Sequence, residues 1–286
     1  MLFGPKVIYI ILFIIFVAAV LIAFIAVLVA PERCSPKMAE PFKNRYFAHR
    51  GLHTKDKAVP ENSLEAFDRA CKAGYGIELD VRLTQDGEVV VVHDPNLNRM
   101  CGVDKDVDAC TYEEISLMRL NGTGHHLPRF QEALNCIAGR VPIIVEIKPC
   151  ADGQVLTKKT MDILAPYTGD YAVESFDPGI VRWLRYNAPV VLRGQLAMHS
   201  SSYDKNVPGL GRFFMSRCLF GMVNRPHFIA YEVGPKPLTV RLAKLLGAIQ
   251  VVWTSRPKEM GGSPETDARN NDIIIFEFYE PPLTKS

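Results

Sequence analysis

The hydrophobic pattern divides the chain at Ala30. Residues 7–30 form an uninterrupted apolar run without a single charge. At about 1.5 Å per helical residue such a run exceeds the roughly 30 Å hydrocarbon core of a bilayer. It predicts one membrane-spanning helix within residues 1–30. The competing reading is a secretory leader, but the apolar core of a leader is typically about 7–15 residues and Pro31 makes a poor cleavage junction, so a retained anchor is expected. Residues 31–44, with Pro31, Pro36 and Pro41, read as a short polar linker that keeps the following domain close to the bilayer.

From Arg45 onward, short apolar stretches alternate with stretches of helical period, the pattern of parallel strands joined by crossover helices. Strands are expected at residues 46–49, 76–83, 141–148, 171–176, 190–196, 228–233, 249–254 and 272–278. Eight strands in roughly 240 residues fit an α/β fold of the (β/α)8 TIM-barrel type over residues 45–286, with active-site groups at the C-terminal strand ends. Residues 88–92 read as an extra hairpin strand that places His93 over the mouth. Two helices are legible: residues 62–72, with Asn62 as N-cap and Glu65 three residues on, and residues 177–186. Residues 210–228 interleave Phe213, Phe214, Met215, Leu219, Phe220 and Met222 with Arg212, Arg217 and Arg225. That mixture reads either as a barrel helix with an ordinary core face or as a segment lying on an anionic membrane.

Composition narrows the picture. A chain of 286 residues that is 48% hydrophobic and 22% charged has enough apolar material for one sizeable globular domain and no bias toward disorder. A formal net charge of +2 is too small to suggest nucleic acid, so any anionic partner is bound locally. Arg33, Lys37, Lys43 and Arg45 follow the apolar run while Lys6 and the amine precede it, which by the positive-inside rule places the domain on the cytoplasmic side. Seven cysteines, an odd set without metal-type spacing, fit free thiols in a reducing compartment. Nothing in the pattern speaks to oligomeric state.

Four short motifs fall at or just past strand ends: His49-Arg50-Gly51, Glu78-Leu79-Asp80, His93-Asp94 and Glu146-Ile147-Lys148. Period-2 alternation turns Glu78 and Asp80 to one face and Ile77, Leu79 and Val81 to the other. Two carboxylates converging inside a barrel repel, and a hard cation with oxygen ligands, Mg²⁺ or Ca²⁺, relieves the repulsion. Periodicity alone also fits a solvent-facing acidic strand. Glu146 and Lys148 share a face in the same way, as site residues or as a structural ion pair. His49 and His93 are candidates for a proton-transfer pair, because imidazole exchanges protons near neutral pH. Arg50 offers a planar fork for two phosphate oxygens, and Gly51 leaves room for close approach. His53, His125, His126, His199 and His227 match no motif.

Taken in order, with Pro60-Glu61-Asn62-Ser63 and Asp86-Gly87, these motifs resemble the glycerophosphodiester phosphodiesterase family, whose pattern runs HRG, PEN, ELD, DG, HD and ExK. The resemblance is strong from Tyr46 to Lys148 and thin elsewhere. It implies a metal-dependent phosphodiesterase that hydrolyses glycerophosphodiesters or lysophospholipids to an alcohol and glycerol phosphate or a lipid phosphate. It further implies Glu78, Asp80 and Glu146 as ligands of one divalent cation, Arg50 and Lys148 on the substrate phosphate, and His49 and His93 as a catalytic pair, one the base and the other the acid, with the order left open. Ser175, Gln195 and Trp253 are similar to pocket positions of the family, although Trp253 also fits a barrel-core aromatic. Glu61 either supports the site from behind or complements a helix N-terminus. The family commonly ends its last strand with Thr-Asp before a Pro and adds a closing helix; here Phe276-Glu277-Phe278-Tyr279-Glu280-Pro281 takes that place, and no closing helix is expected. Two rivals stand beside this reading: a phosphoinositide- or sphingomyelin-directed phospholipase of related architecture, and an inactive membrane-tethered barrel acting as a binding protein. Intact His49, His93, Glu78, Asp80 and Glu146 argue against the second.

Overall fold

The computed structural model describes residues 5–283. Its nine strands form one sheet: β1 (Tyr46–His49), β2 (Gly76–Leu83), β3 (Val89–Val91), β4 (Ile143–Ile147), β5 (Tyr171–Ser175), β6 (Leu192–Ala197), β7 (Phe228–Glu232), β8 (Ile249–Ser255) and β9 (Ile273–Phe276). All but β3 are parallel, and pairing of β1 with both β2 and β9 closes them into an eight-stranded barrel. β3 runs antiparallel to the end of β2 as the expected hairpin strand. The outer layer comprises α3 (Leu64–Ala73), α4 (Asn98–Cys101), α5 (Tyr112–Ser116), α6 (Phe130–Ile137), α7 (Gly153–Leu164), α8 (Pro178–Asn187), α9 (Gly209–Ser216), α10 (Gly221–Asn224), α11 (Leu238–Leu245) and α12 (Pro264–Asn270), preceded by α1 (Pro5–Val29) and α2 (Pro36–Ala39).

Alternation along the strands builds two cores. Ile77, Leu79, Val81, Ile143, Val145 and Val173 face outward and pack with Phe67, Phe130, Leu156 and Ile180 from the helices. Phe47, Ile144, Leu192, Phe228, Ile249 and Ile273 fill the interior. The two interior phenylalanines fit because glycine faces each of them. A Cβ on Gly76 would lie 2.5 Å from the Phe47 ring, and one on Gly194 would lie 1.9 Å from that of Phe228.

Residues 31–44 are packed against the barrel rather than strung out as a polar linker. Ala39 and Phe42 are buried in the interior cluster, with Phe42 stacked on Phe47 at 6.1 Å between ring centroids, so they floor the barrel beneath β1. The last turn of α1 is built in as well. Val29 is buried among Ile229, Tyr231, Val240 and Ala243. The Glu32 amide donates to the Pro226 carbonyl at 3.1 Å, and its carboxylate accepts from Arg193 Nη2 at 2.6 Å. α1 itself is long and apolar enough to cross a membrane, and its side chains from Lys6 to Phe24 are exposed.

Three local expectations change. The first helix starts one residue later than its pattern suggests. Ser63, not Asn62, is the N-cap, its Oγ accepting from the Ala66 amide, because Asn62 turns to φ +56 and donates to Asp80 instead. Residues 210–228 do not form one barrel helix but break into the short α9 and α10. Strand 141–148 begins only at Ile143, after Pro142, which has no amide hydrogen to give the ladder. No helix follows β9 among the described residues. All seven cysteines are free.

Candidate active site

Register assembles the acidic cluster. Asp80 on β2 lies beside Glu146 on β4, and Glu146 beside Glu174 on β5, all on the interior face near the C-terminal strand ends. Carboxylate oxygens of Glu78, Asp80 and Glu146 lie within 4.8 Å of one another, and all three side chains are buried. Lys148 Nζ bridges Asp80 Oδ1 and Glu146 Oε1 at 2.7 Å each. Asn62 Nδ2 donates to Asp80 Oδ2 at 2.8 Å, and Arg50 Nε lies 3.3 Å from the same oxygen. The Arg50 backbone amide donates to Glu78 Oε2 at 3.0 Å from a residue held at φ +55, so the turn after β1 is fixed by the cluster it serves.

The cluster holds more negative charge than its cations balance. Burial, then the neighbouring Asp80 and Glu146, push the Glu78 carboxyl well above its ordinary range. Burial raises Glu146 and Glu174 too. Burial would also raise Asp80, but Lys148 and Arg50 hold it well below the usual carboxylate value. Glu174 Oε2 is buried with no hydrogen-bond partner. An all-oxygen donor set with surplus charge and an orphaned carboxylate oxygen fits a hard divalent cation, which Glu78, Asp80 and Glu146 would hold.

Each histidine rests on a carboxylate. His49 Nδ1 is 3.0 Å from Glu277 Oε2, leaving Nε2 on the side of the cluster, 3.9 Å from Glu78 Oε2. Burial, then Arg50, lower the His49 pKa to about 4 against the pull of Glu277. His93 Nδ1 is 2.7 Å from Asp94 Oδ1. Behind it, Asp94 accepts from Arg99 at 2.5 Å, Arg99 makes two bonds of 2.8 Å to Glu61, and Glu61 accepts from Arg50 at 2.7 Å. Glu61 is therefore the hinge of an ion-pair chain joining the two motif loops. Burial pushes its carboxyl up, yet Arg99 and Arg50 hold it at about 2.

His49, Arg50, Glu78, His93, Glu146, Lys148 and Glu174 line a cavity of about 280 Å³ whose remaining wall is Phe176, Leu196, Met198, Trp253 and Ile275. Of the later-strand residues expected at the pocket, Trp253 lines it, while Ser175 and Gln195 do not. Their parity turns them outward, where the Ser175 hydroxyl donates to the Ile147 carbonyl and Gln195 Nε2 to the carbonyls of Ser175 and Phe176. Glu174 and Glu277 are the residues sequence reasoning missed. Glu174 carried a signal, since it shares inward parity with its register neighbour Glu146. Glu277 sits in the segment that departs from the family pattern, and that departure was the only signal it gave.

A family model described as the Glycerophosphoryl diester phosphodiesterase family matches residues 49–273. A glycerophosphodiester phosphodiesterase of Bacillus altitudinis is 35% identical over 115 residues, covering 36% of this chain and 44% of the relative. The lysophospholipase D GDPD1 of Homo sapiens is 28% identical over 154 residues, 49% of this chain and 47% of the relative. The chain thus spans less than half the length of these curated relatives. Among solved structures, an Oleispira antarctica phosphodiesterase in complex with the product sn-glycerol-3-phosphate superposes with a TM-score of 0.66 at 18% identity, covering 84% of this chain and 94% of that one. A putative glycerophosphoryl diester phosphodiesterase from Silicibacter pomeroyi gives 0.64 at 23%, covering 82% and 90%. With the motif residues gathered at one barrel mouth and the family match running from the first of them to the last strand, the chain belongs to the glycerophosphoryl diester phosphodiesterase family.

Proposed function

We propose that this protein is a membrane-anchored, divalent-cation-dependent phosphodiesterase that hydrolyses glycerophosphodiesters or lysophospholipids. The observation that carries the reading is the pairing of two carboxylate-held histidines with a buried carboxylate cluster and two cations in one cavity. A cation bound by Glu78, Asp80 and Glu146 supplies Lewis-acid neutralisation of the phosphate. Arg50 and Lys148 add charge where it develops on the phosphoryl oxygens. His49, neutral because its pKa lies at about 4, donates its Nδ1 hydrogen to Glu277 and offers the Nε2 lone pair as the base that takes the nucleophile's proton. His93, oriented through Nδ1 by Asp94, supplies a proton to the departing alcohol oxygen. The apolar wall of Phe176, Leu196, Met198 and Trp253 suits an alcohol with an apolar portion, which favours the lysophospholipid end of the range.

Retention of α1 is supported by its last turn. Cleavage after Ala30 would strip Val29 from its apolar seat on Val240 and Ala243. The basic flank and the free cysteines support a cytoplasmic domain and a single-pass topology. The test incubates the purified full chain with a panel of glycerophosphodiesters and lysophospholipids, with Mg²⁺, Ca²⁺ or chelator, and identifies the phosphorus products. The expected outcome is alcohol release that stops on chelation. Full turnover at nil metal content, or no product from any member of the panel, would overturn the reading.

A further inference from the structure

The joint between α1 and the barrel is rigid, and its surroundings are apolar and basic. Gly221 on α10 touches the end of α1 so closely that a Cβ there would lie 2.6 Å from the Leu28 carbonyl oxygen. Glu32 is pinned from the other side by Arg193, whose side chain is fully buried. α1 therefore leaves the barrel beside α10 and α11 in a fixed direction. α10 and α11, which flank this exit, and α9, joined to the start of α10 through Phe214 on Phe220 at 6.2 Å between ring centroids, carry large exposed apolar side chains: Leu210 and Phe213 on α9, Met222 and Val223 on α10, Leu238 and Leu245 on α11, with Leu210 at 71% and Leu245 at 84% exposure. Apolar side chains grouped in this way on a soluble barrel mark an interaction surface.

Charge identifies the partner. From Lys205 to Tyr231 there is no acidic residue, while Lys205, Arg212, Arg217 and Arg225 all lie within the segment. The Arg217 guanidinium sits 4.0 Å above the Phe213 ring, so apolar and cationic groups share one face. Exposed apolar side chains interleaved with arginines suit the headgroup region of an anionic bilayer, where the rings enter the acyl boundary and the guanidinium groups meet phosphates. Four of the five apolar wall residues of the active-site cavity, Phe176, Leu196, Met198 and Trp253, lie on or just past β5, β6 and β8, the half of the barrel that carries this face.

We propose that α9, α10 and α11 form a second bilayer contact around the exit of α1, holding the β5–β8 half of the barrel against the lipid headgroups. The proposal rests on the reading of α1 as membrane-spanning, and its test does not require turnover. The full chain is reconstituted in phosphatidylcholine vesicles containing phosphatidylglycerol and a phosphatidylcholine with a diazirine near the top of its acyl chain. After irradiation the labelled residues are mapped by mass spectrometry. Label is expected on α1 and also on Leu210, Phe213, Met222 and Leu245, with little or none on Leu117 and Val155, which are exposed apolar residues of the β2–β4 half. Leu210→Glu with Phe213→Glu should abolish the label on α9 while α1 stays labelled and the melting temperature is unchanged. Label confined to α1 would show the barrel held clear of the bilayer and overturn the proposal. Label absent from α1 would overturn the anchor reading and the proposal together. No label on this face, together with a dimer of the detergent-solubilised chain that Leu210→Glu with Phe213→Glu dissociates, would overturn the proposal and assign the face to a second copy instead.

Discussion

At the scale of single residues, the two imidazoles are separable by experiment because each is oriented by a different carboxylate. Glu277 holds His49 and Asp94 holds His93. Glu277→Gln and Asp94→Asn each replace an acceptor-only carboxylate by a neutral amide that can donate as well as accept, so the negative charge is lost and the tautomer of the ring is no longer fixed. Both should lower turnover of a natural diester by on the order of 10²-fold, the low end of the range for losing a positioned acid or base. They should then diverge on a nitrophenyl phosphodiester, whose leaving group needs no proton. If, as proposed, His93 serves the departing oxygen and His49 the nucleophile, Asp94→Asn should recover most of its rate there while Glu277→Gln should stay slow. Equal recovery of both variants would mean that the roles of base and acid are wrongly divided. The Asp94 substitution also loosens Arg99 from the chain through Glu61 to Arg50, so a rise in KM is expected for that variant and not for Glu277→Gln.

At the scale of elements, the barrel depends on where it leaves side chains out. Gly194→Ala would drive a methyl group into the Phe228 ring from a strand that cannot move without breaking its register with β5 and β7. Overpacking of this kind costs about 1–3 kcal/mol, which for a chain of this size lowers the melting temperature by several degrees. Gly124→Ala, with nothing within 4 Å of the new methyl, serves as the control and should be neutral. An unchanged melting temperature for Gly194→Ala would mean that Phe228 has room the packing does not show. The same elements explain what the sequence could reveal. Strands β1 and β2 were legible to the residue because period-2 alternation is a local signal, and the carboxylates Glu78, Asp80 and Glu146 followed from it. The start of α3 was not legible, because Asn62 is claimed by Asp80 from a distant strand and the cap passes to Ser63. Nor was the floor of the barrel, since Ala39 and Phe42 are two buried side chains in a segment whose composition is otherwise polar. Ser175 and Gln195 lie one residue out of phase with the inward positions Glu174, Gly194 and Leu196, an error of parity that a motif position does not reveal.

At the scale of the whole molecule, α1 and the barrel are one structure through the joint at Glu32 and Arg193, and two predictions follow from its chemistry. His227 Nδ1 accepts the Arg193 backbone amide at 3.2 Å, so the ring must be neutral there; burial, then Arg193, lower its pKa from 6.5 to about 4. The unfolded chain therefore binds a proton that the folded one refuses between those values. This stability is fully present above pH 6.5 and is lost as pH falls toward 4, by up to about 3 kcal/mol. His227→Gln, which can accept the same bond without titrating, should flatten the dependence of melting temperature on pH in that window. The second prediction concerns where α1 can be cut. A chain beginning at residue 27 keeps Leu28, Val29 and Glu32 in place, whereas one beginning at residue 33 uncovers the apolar seat on Val240 and Ala243 and takes the carboxylate from the buried Arg193. Burying one valine contributes about 1.5–3 kcal/mol, and leaving a buried donor short of its partner costs roughly 1–3 kcal/mol more, the exposure of Glu32 keeping the second figure low. The shorter chain should melt roughly 10 °C below the full chain and the longer one close to it. Slow hydrolysis of a vesicle substrate by the shorter chain would then reflect a weakened barrel, so only the chain from residue 27 reports what membrane attachment contributes. If both truncated chains melt with the full one, the joint adds nothing to the fold and α1 is no more than a tether.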